Sequence, residues 1–157
     1  MIKDRIYKTV ERRLYTLDAL REAVTDARAE MEAKKIGMQG GGGHAFVSDP
    51  TAATAIKHFT PVRSVLISDG RGNVEEVRRP ETWLYVIDGA LSQLDDFKRN
   101  VIEARYKKKH RVIKVSMENP VGERTVYDWC RDFVHEVSLW AVAYGVVKVK
   151  DGKHETL

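Results

Sequence analysis

Arg111 to Gly145 reads RVIKVSMENPVGERTVYDWCRDFVHEVSLWAVAYG. Val126, Trp129, Cys130, Phe133, Val137, Trp140, Ala141 and Tyr144 recur in it at three- and four-residue spacing, which makes one apolar stripe on a helix. Arg124, Tyr127, Asp128 and Arg131 share that spacing on the opposite side, and each can hydrogen-bond. Upstream, Asn119-Pro120 ends any helix begun near Arg111, because proline restricts the residue before it and has no amide proton. Gly122 is a workable cap, and Glu123 falls in the first turn, where the helix dipole favours an acid. The stretch therefore predicts a short helix, a tight turn and a longer helix. Held by its apolar stripe with a polar row outward, the longer helix has what reading a major groove requires. The plainer alternative is two ordinary packed helices, since apolar stripes occur in most globular helices.

What precedes the stretch favours the sharper reading. Between Lys98 and Lys114 stand eight cations (Lys98, Arg99, Arg105, Lys107, Lys108, Lys109, Arg111 and Lys114) against one acid, Glu103, in a chain whose net charge is only +4. Such a concentration suits phosphate contacts that position a protein on a duplex. The alternative is a solvated helix end whose lysines complement the dipole.

Further toward the N-terminus, residues 2–36 predict one long amphipathic helix. Ile6, Val10, Leu14, Leu17, Leu20, Val24, Ala27 and Met31 make its stripe, and no proline interrupts it. It either wraps a core or pairs with a second copy as a short coiled coil. Gly37 is expected to end it, and residues 37–48, with the run Gly40 to Gly43, to form a linker. That run is no phosphate cradle, because His44-Ala45 stands where Lys-Ser or Lys-Thr would be needed. Asp49-Pro50 opens a second helix, with Asp49 as cap and Pro50 at the first helical position. Residues 62–77 predict a small β-hairpin around the turn SDGRGN. Pro80 begins a third helical region with Trp83, Leu84, Ile87, Leu91 and Leu94 inward, and Asp95-Asp96 marks a fresh helix start. A tail, 148–157, is expected to fray. The fold class is thus mostly α. The N-terminal helix, residues 1–36, is a candidate dimerisation arm, with packing on the C-terminal helix as the alternative, and residues 49–147 are expected to form a helical DNA-binding domain with its helix-turn-helix at 111–145.

The chain has 157 residues, which sets one domain or one domain with an arm. Its 43% apolar content is enough for a core. A single cysteine, Cys130, excludes an intramolecular disulfide and suits a reducing cytoplasm. No apolar run approaches the length of a membrane span. An enzyme is the weakest class. His44, His58, His110, His135 and His154 lack metal-ligand spacing, so no metal or cofactor is expected, and no nucleophile stands with a base and an orienting acid.

Two resemblances sharpen the functional expectation. VGERTVYDW resembles the start of the recognition helix in the fourth region of bacterial sigma factors. Val121, the small cap Gly122, polar positions and Val126 come there in the same order, although Pro120 replaces the usual turn glycine. Across residues 40–147, the Gly-rich run with SDPTAATAIK, the helix ending VIEARYKKK, and VGERTVYDWCRDFVHEVSLWAVAYGV resemble the RinA/ArpU type of phage late-gene transcriptional activators.

The resemblance implies a cytoplasmic, sequence-specific regulator, most simply an activator, acting on phage or prophage late genes. It implies a reading helix beginning at Glu123, with Glu123, Arg124, Tyr127, Asp128 and Arg131 facing bases or phosphates, and it places the sigma-like unit at a promoter. Lys107, Lys108, Lys109, Arg111 and Lys114 are the expected phosphate contacts. Expected partners are double-stranded DNA, a second copy in a homodimer, and host RNA polymerase. The alternative is a DNA-binding subunit for phage packaging, of the small-terminase kind, which also joins a helix-turn-helix to oligomerising helices.

Overall fold

The structure is a computed structural model and describes residues 2–38 and 60–149. Among these, six helices and one two-stranded antiparallel sheet follow in order: α1 (Ile2–Tyr15), α2 (Leu17–Met38), β1 (Ser64–Ser68), β2 (Val74–Arg78), α3 (Pro80–Ser92), α4 (Asp96–Tyr106), α5 (Val112–Glu118) and α6 (Glu123–Ala143). The fold is mostly α with a small hairpin. Residues 39–48 of the expected linker, His44 and the helix expected after Asp49-Pro50 lie outside the described residues, as does the tail beyond 149.

The long N-terminal helix is interrupted once. Thr16 turns its hydroxyl and its amide onto the carbonyl of Arg12, at 2.7 and 3.1 Å. Thr9 and Thr25 bond back to Arg5 and Arg21 in the same way without a break. Two helices stand where the periodicity predicts one, and the second continues through Gly37 to Met38.

The chain divides into two compact units, one of residues 1–18 with 82–157 and one of residues 19–81. In the second unit the hairpin pairs Val65 opposite Val77 and Ser68 opposite Val74. Val65, Ile67 and Val77 are buried, while Leu66 and Val74 face out, as period-two alternation requires. The turn is closed by Asp69, whose Oδ1 accepts from the amides of Arg71 and Asn73 at 2.7 and 3.2 Å; its Oδ2 accepts from Asn73 Nδ2 at 2.8 Å. Gly70 and Gly72 take φ of 76° and 89°, the left-handed region where a Cβ is penalised. Arg28 donates through Nε to Glu81 at 2.6 Å and through Nη1 to the carbonyl of Thr60 at 2.6 Å, which ties α2 to the start of α3.

In the first unit α1, α4 and α5 all pack on α6. Of the expected α6 stripe, Val126, Cys130, Phe133, Val137 and Ala141 are buried, together with Val134 and Ser138. Each fully buried large apolar side chain contributes roughly 1.5–3 kcal/mol. The stripe is narrower at its edges than its periodicity suggests. Trp129 and Trp140 are only half-buried and Tyr144 is 43% exposed. Trp129 instead meets the exposed Phe97 edge to face at 5.7 Å and carries Lys98 over its ring.

Candidate nucleic-acid interface

A four-residue turn, Asn119 to Gly122, joins α5 to α6, within the length such motifs use. Polar side chains tie the turn to α5. Ser116 Oγ donates to the carbonyl of Val121 at 2.6 Å, and Asn119 Nδ2 donates to that of Val115 at 3.0 Å. Gly122 is the N-cap of α6 with extended dihedrals and no side-chain cap bond. Pro120 is accommodated because its position precedes the helix and needs no amide donor.

From that cap the expected row emerges into solvent. Glu123, Arg124, Tyr127 and Arg131 are exposed, Tyr127 by 60%, and Asp128 is half-exposed. Arg131 Nη2 donates to Asp128 Oδ1 at 2.6 Å. The row has an end that the sequence does not announce. Tyr7 of α1 meets His135 one turn beyond Arg131, hydroxyl to Nδ1 at 2.6 Å with the rings edge to face. α1 thus bounds the polar face at His135. Beside it lies a cavity of about 300 Å³ whose walls include Tyr7, Arg105, Tyr106, Tyr127, Cys130 and Arg131. Burial pushes the Cys130 thiol up to about 11 and raises the Tyr106 phenol as well. The thiol is therefore neutral near pH 7 and no nucleophile.

The basic run divides into two groups. Lys107, Lys108, Lys109, Arg111 and Lys114 are exposed. Lys98, Arg99 and Arg105, counted in the same run, hold the fold instead. Arg99 donates to the carbonyls of Leu91 and Leu94 at 3.2 and 3.1 Å. Arg105 donates to the carbonyl of His110 at 3.1 Å and lies over the ring of Tyr15. That contact helps set the bend between α4 and α5. There Lys107 and Lys108 both donate their amides to Glu103 O, His110 donates its own to Ala104 O, and Lys109 adopts φ 57°. A lysine in the left-handed region is uncommon.

Lys114 is also engaged. Its ammonium lies 3.2 Å from His110 Nε2 and 3.8 Å from Glu118, whose other oxygen is 3.1 Å from His110 Nδ1. The four-residue spacing of His110, Lys114 and Glu118 is visible in the sequence, yet only Lys114 stood out there. Among the described residues, no group of three or more His, Cys, Asp and Glu is placed to hold a metal ion. No described helix is long and apolar enough to cross a membrane.

A family model described as "Protein of unknown function (DUF722)" matches residues 51–138. The chain belongs to that family. The match ends inside α6, so it takes in the α5–α6 pair and the basic bend before it. No curated protein and no solved structure matches the chain.

Proposed function

We propose that this member of the family is a sequence-specific double-stranded DNA-binding transcriptional regulator, an activator of phage or prophage late genes. The observation that carries the reading is the helix-turn-helix itself. α6 is fixed from behind by Val126, Cys130, Phe133 and Val137, and it presents Arg124, Tyr127 and Arg131 to solvent directly after a four-residue turn. Those side chains can meet base edges. Lys107, Lys108, Lys109 and Arg111 stand exposed just before α5, where phosphate contacts would fix the register. The resemblance to the RinA/ArpU type supplies the regulatory context and a cytoplasmic setting; the amphipathic N-terminal segment suits a homodimer, and host RNA polymerase is a further proposed partner.

Selection of bound duplexes from a random pool, with the mass of the protein in solution measured in parallel, tests this. A consensus with two half-sites and a dimer is the expected result. A pool that emerges without any preferred sequence sinks the regulatory reading, and a ring of many subunits favours packaging instead.

A further inference from the structure

The flank of α6 turned away from Tyr127 and Arg131 borders a second cavity of about 300 Å³. Its floor is apolar: Ala90, Ile102 and Phe133 are each at most 3% exposed. The half-buried Trp129 forms one wall. Its lip on α6 is acidic. Asp132 and Glu136, one turn apart, both line it, both are exposed, and neither has an ion pair among the described residues. The one cation at the rim, Lys98, has its ammonium over the Trp129 ring at 5.5 Å, so its charge is directed at that face. The hollow thus combines an apolar floor with two carboxylates that lack ion pairs among the described residues. Asp132 and Glu136 make this edge a poor match for phosphates and a good one for cations.

We infer that this groove docks a basic amphipathic segment of another protein, which seats one large apolar side chain against Phe133 and Trp129 and sets lysine or arginine on Asp132 and Glu136. The size fits one such side chain and lies at the lower limit of small-molecule sites. The charge pattern selects the partner, since a buried apolar anchor supplies affinity and rim charges supply orientation and discrimination. Helix-in-groove recognition works this way. Asp132 follows Asp128 by one turn, so the groove borders the row proposed to meet DNA and the two partners would share an edge of α6. The inference does not depend on the DNA reading, which has its own test.

The test uses the full chain and two synthetic amphipathic peptides of equal leucine content, one with lysine and one with glutamate at the polar positions. Binding is followed by calorimetry and by the assigned indole N–H resonance of Trp129. The lysine peptide is expected to bind about tenfold or more tightly than the glutamate peptide, to shift the Trp129 signal, and to weaken as salt is raised. Asp132→Lys combined with Glu136→Lys, both at exposed positions, is expected to abolish that preference while leaving the melting temperature nearly unchanged.

Equal binding of both peptides overturns the inference. So does lysine-peptide binding that leaves the Trp129 signal in place or survives the double charge reversal. A dimer that covers the groove, dissociating when the two charges are reversed, overturns it as well and assigns the surface to a second copy.

Discussion

Arg131 and Asp128 hold each other across one turn of α6 at 2.6 Å, although 71% of the arginine side chain and 44% of the aspartate side chain remain in solvent. An exposed pair of this kind contributes little to stability. Its consequence lies in where the guanidinium points. Asp128 restrains Arg131 and also sets a negative charge on the face proposed to meet DNA, so it discourages loose phosphate binding. Asp128→Ala is expected to strengthen binding to random duplex and to steepen its salt dependence by about one unit, because the freed guanidinium can take a phosphate. Arg131→Ala is expected to remove roughly 1–3 kcal/mol of discrimination if the side chain forks onto a guanine. Binding isotherms on selected and random duplexes at several salt concentrations separate the two effects. If neither variant changes the ratio of the two affinities, this face does not read sequence.

Lys108 is the contrasting case. It stands exposed on the bend between α4 and α5, and its backbone amide already bonds Glu103. Lys108→Ala is expected to weaken all duplexes alike and to flatten the salt slope by about one unit. A loss confined to one sequence would mean that Lys108 reads bases and that the register of α6 is misassigned. Lys114→Ala is expected to have a smaller effect, since its ammonium is shared with His110 and Glu118.

Much of this arrangement is legible in the chain because it is local. The period of the α6 stripe, the Asn119-Pro120 stop and the Asp69-Gly70 turn signal act within a few residues of themselves. Asp95 caps α4 as its position suggests, accepting from the Lys98 amide at 2.8 Å. The break at Thr16 is not legible, because every residue around it is a tolerable helix former. The division of the basic run is not legible either. Whether an arginine reaches solvent or a carbonyl depends on where Leu91, Leu94 and His110 turn their oxygens. The limit that Tyr7 sets on the polar face is a contact across 128 positions of sequence, which no local pattern encodes.

Gly89 supplies a packing test within the same unit. A Cβ placed there would stand 2.9 Å from Trp140 Cζ3, so α3 approaches α6 through the absence of a side chain. The half-buried indole also meets the ring of Tyr144, with 6.4 Å between centroids. Helix propensity alone favours alanine over glycine by about 1 kcal/mol. Overpacking costs typically 1–3 kcal/mol. Gly89→Ala is therefore expected to lower stability on balance, and to raise it in a Trp140→Leu background where the ring is gone. Denaturant melts of the four proteins in that cycle give the coupling. A stabilised single variant would show that the two helices stand further apart.

The hairpin turn gives a dependence on pH. Asp69 is held below its ordinary value of 3.8, first by the hydrogen bond from the Asn73 side chain and then by the Arg71 amide. A carboxylate depressed in the folded state favours folding above its unfolded value, and that contribution disappears as the pH falls through the lower folded value. Asp69→Asn keeps the shape but cannot ionise. The stability difference between parent and variant is therefore expected to be constant above about pH 5 and to shrink below pH 4, read from melts in the two ranges. A difference that grows on acidification would contradict the bonding at Asn73.

Cys130 lines the cavity beside the polar face, and its reactivity reports how readily the core behind α6 opens. Burial raises the thiol to about 11, so almost none is ionised at pH 8, whereas an unperturbed cysteine near 8.5 is partly thiolate. Alkylation requires the thiolate. Iodoacetamide at pH 8 is expected to modify the native chain on the order of a hundredfold more slowly than the denatured chain, followed by intact mass. A specific duplex contacting Tyr127 and Arg131 would cover the mouth of the cavity, because both residues line it. Saturating DNA is expected to slow the reaction further. Fast labelling of the free chain would mean that the core behind α6 opens readily. Since the polar row depends on that core to hold its orientation, the proposed DNA-reading surface would lose its physical basis.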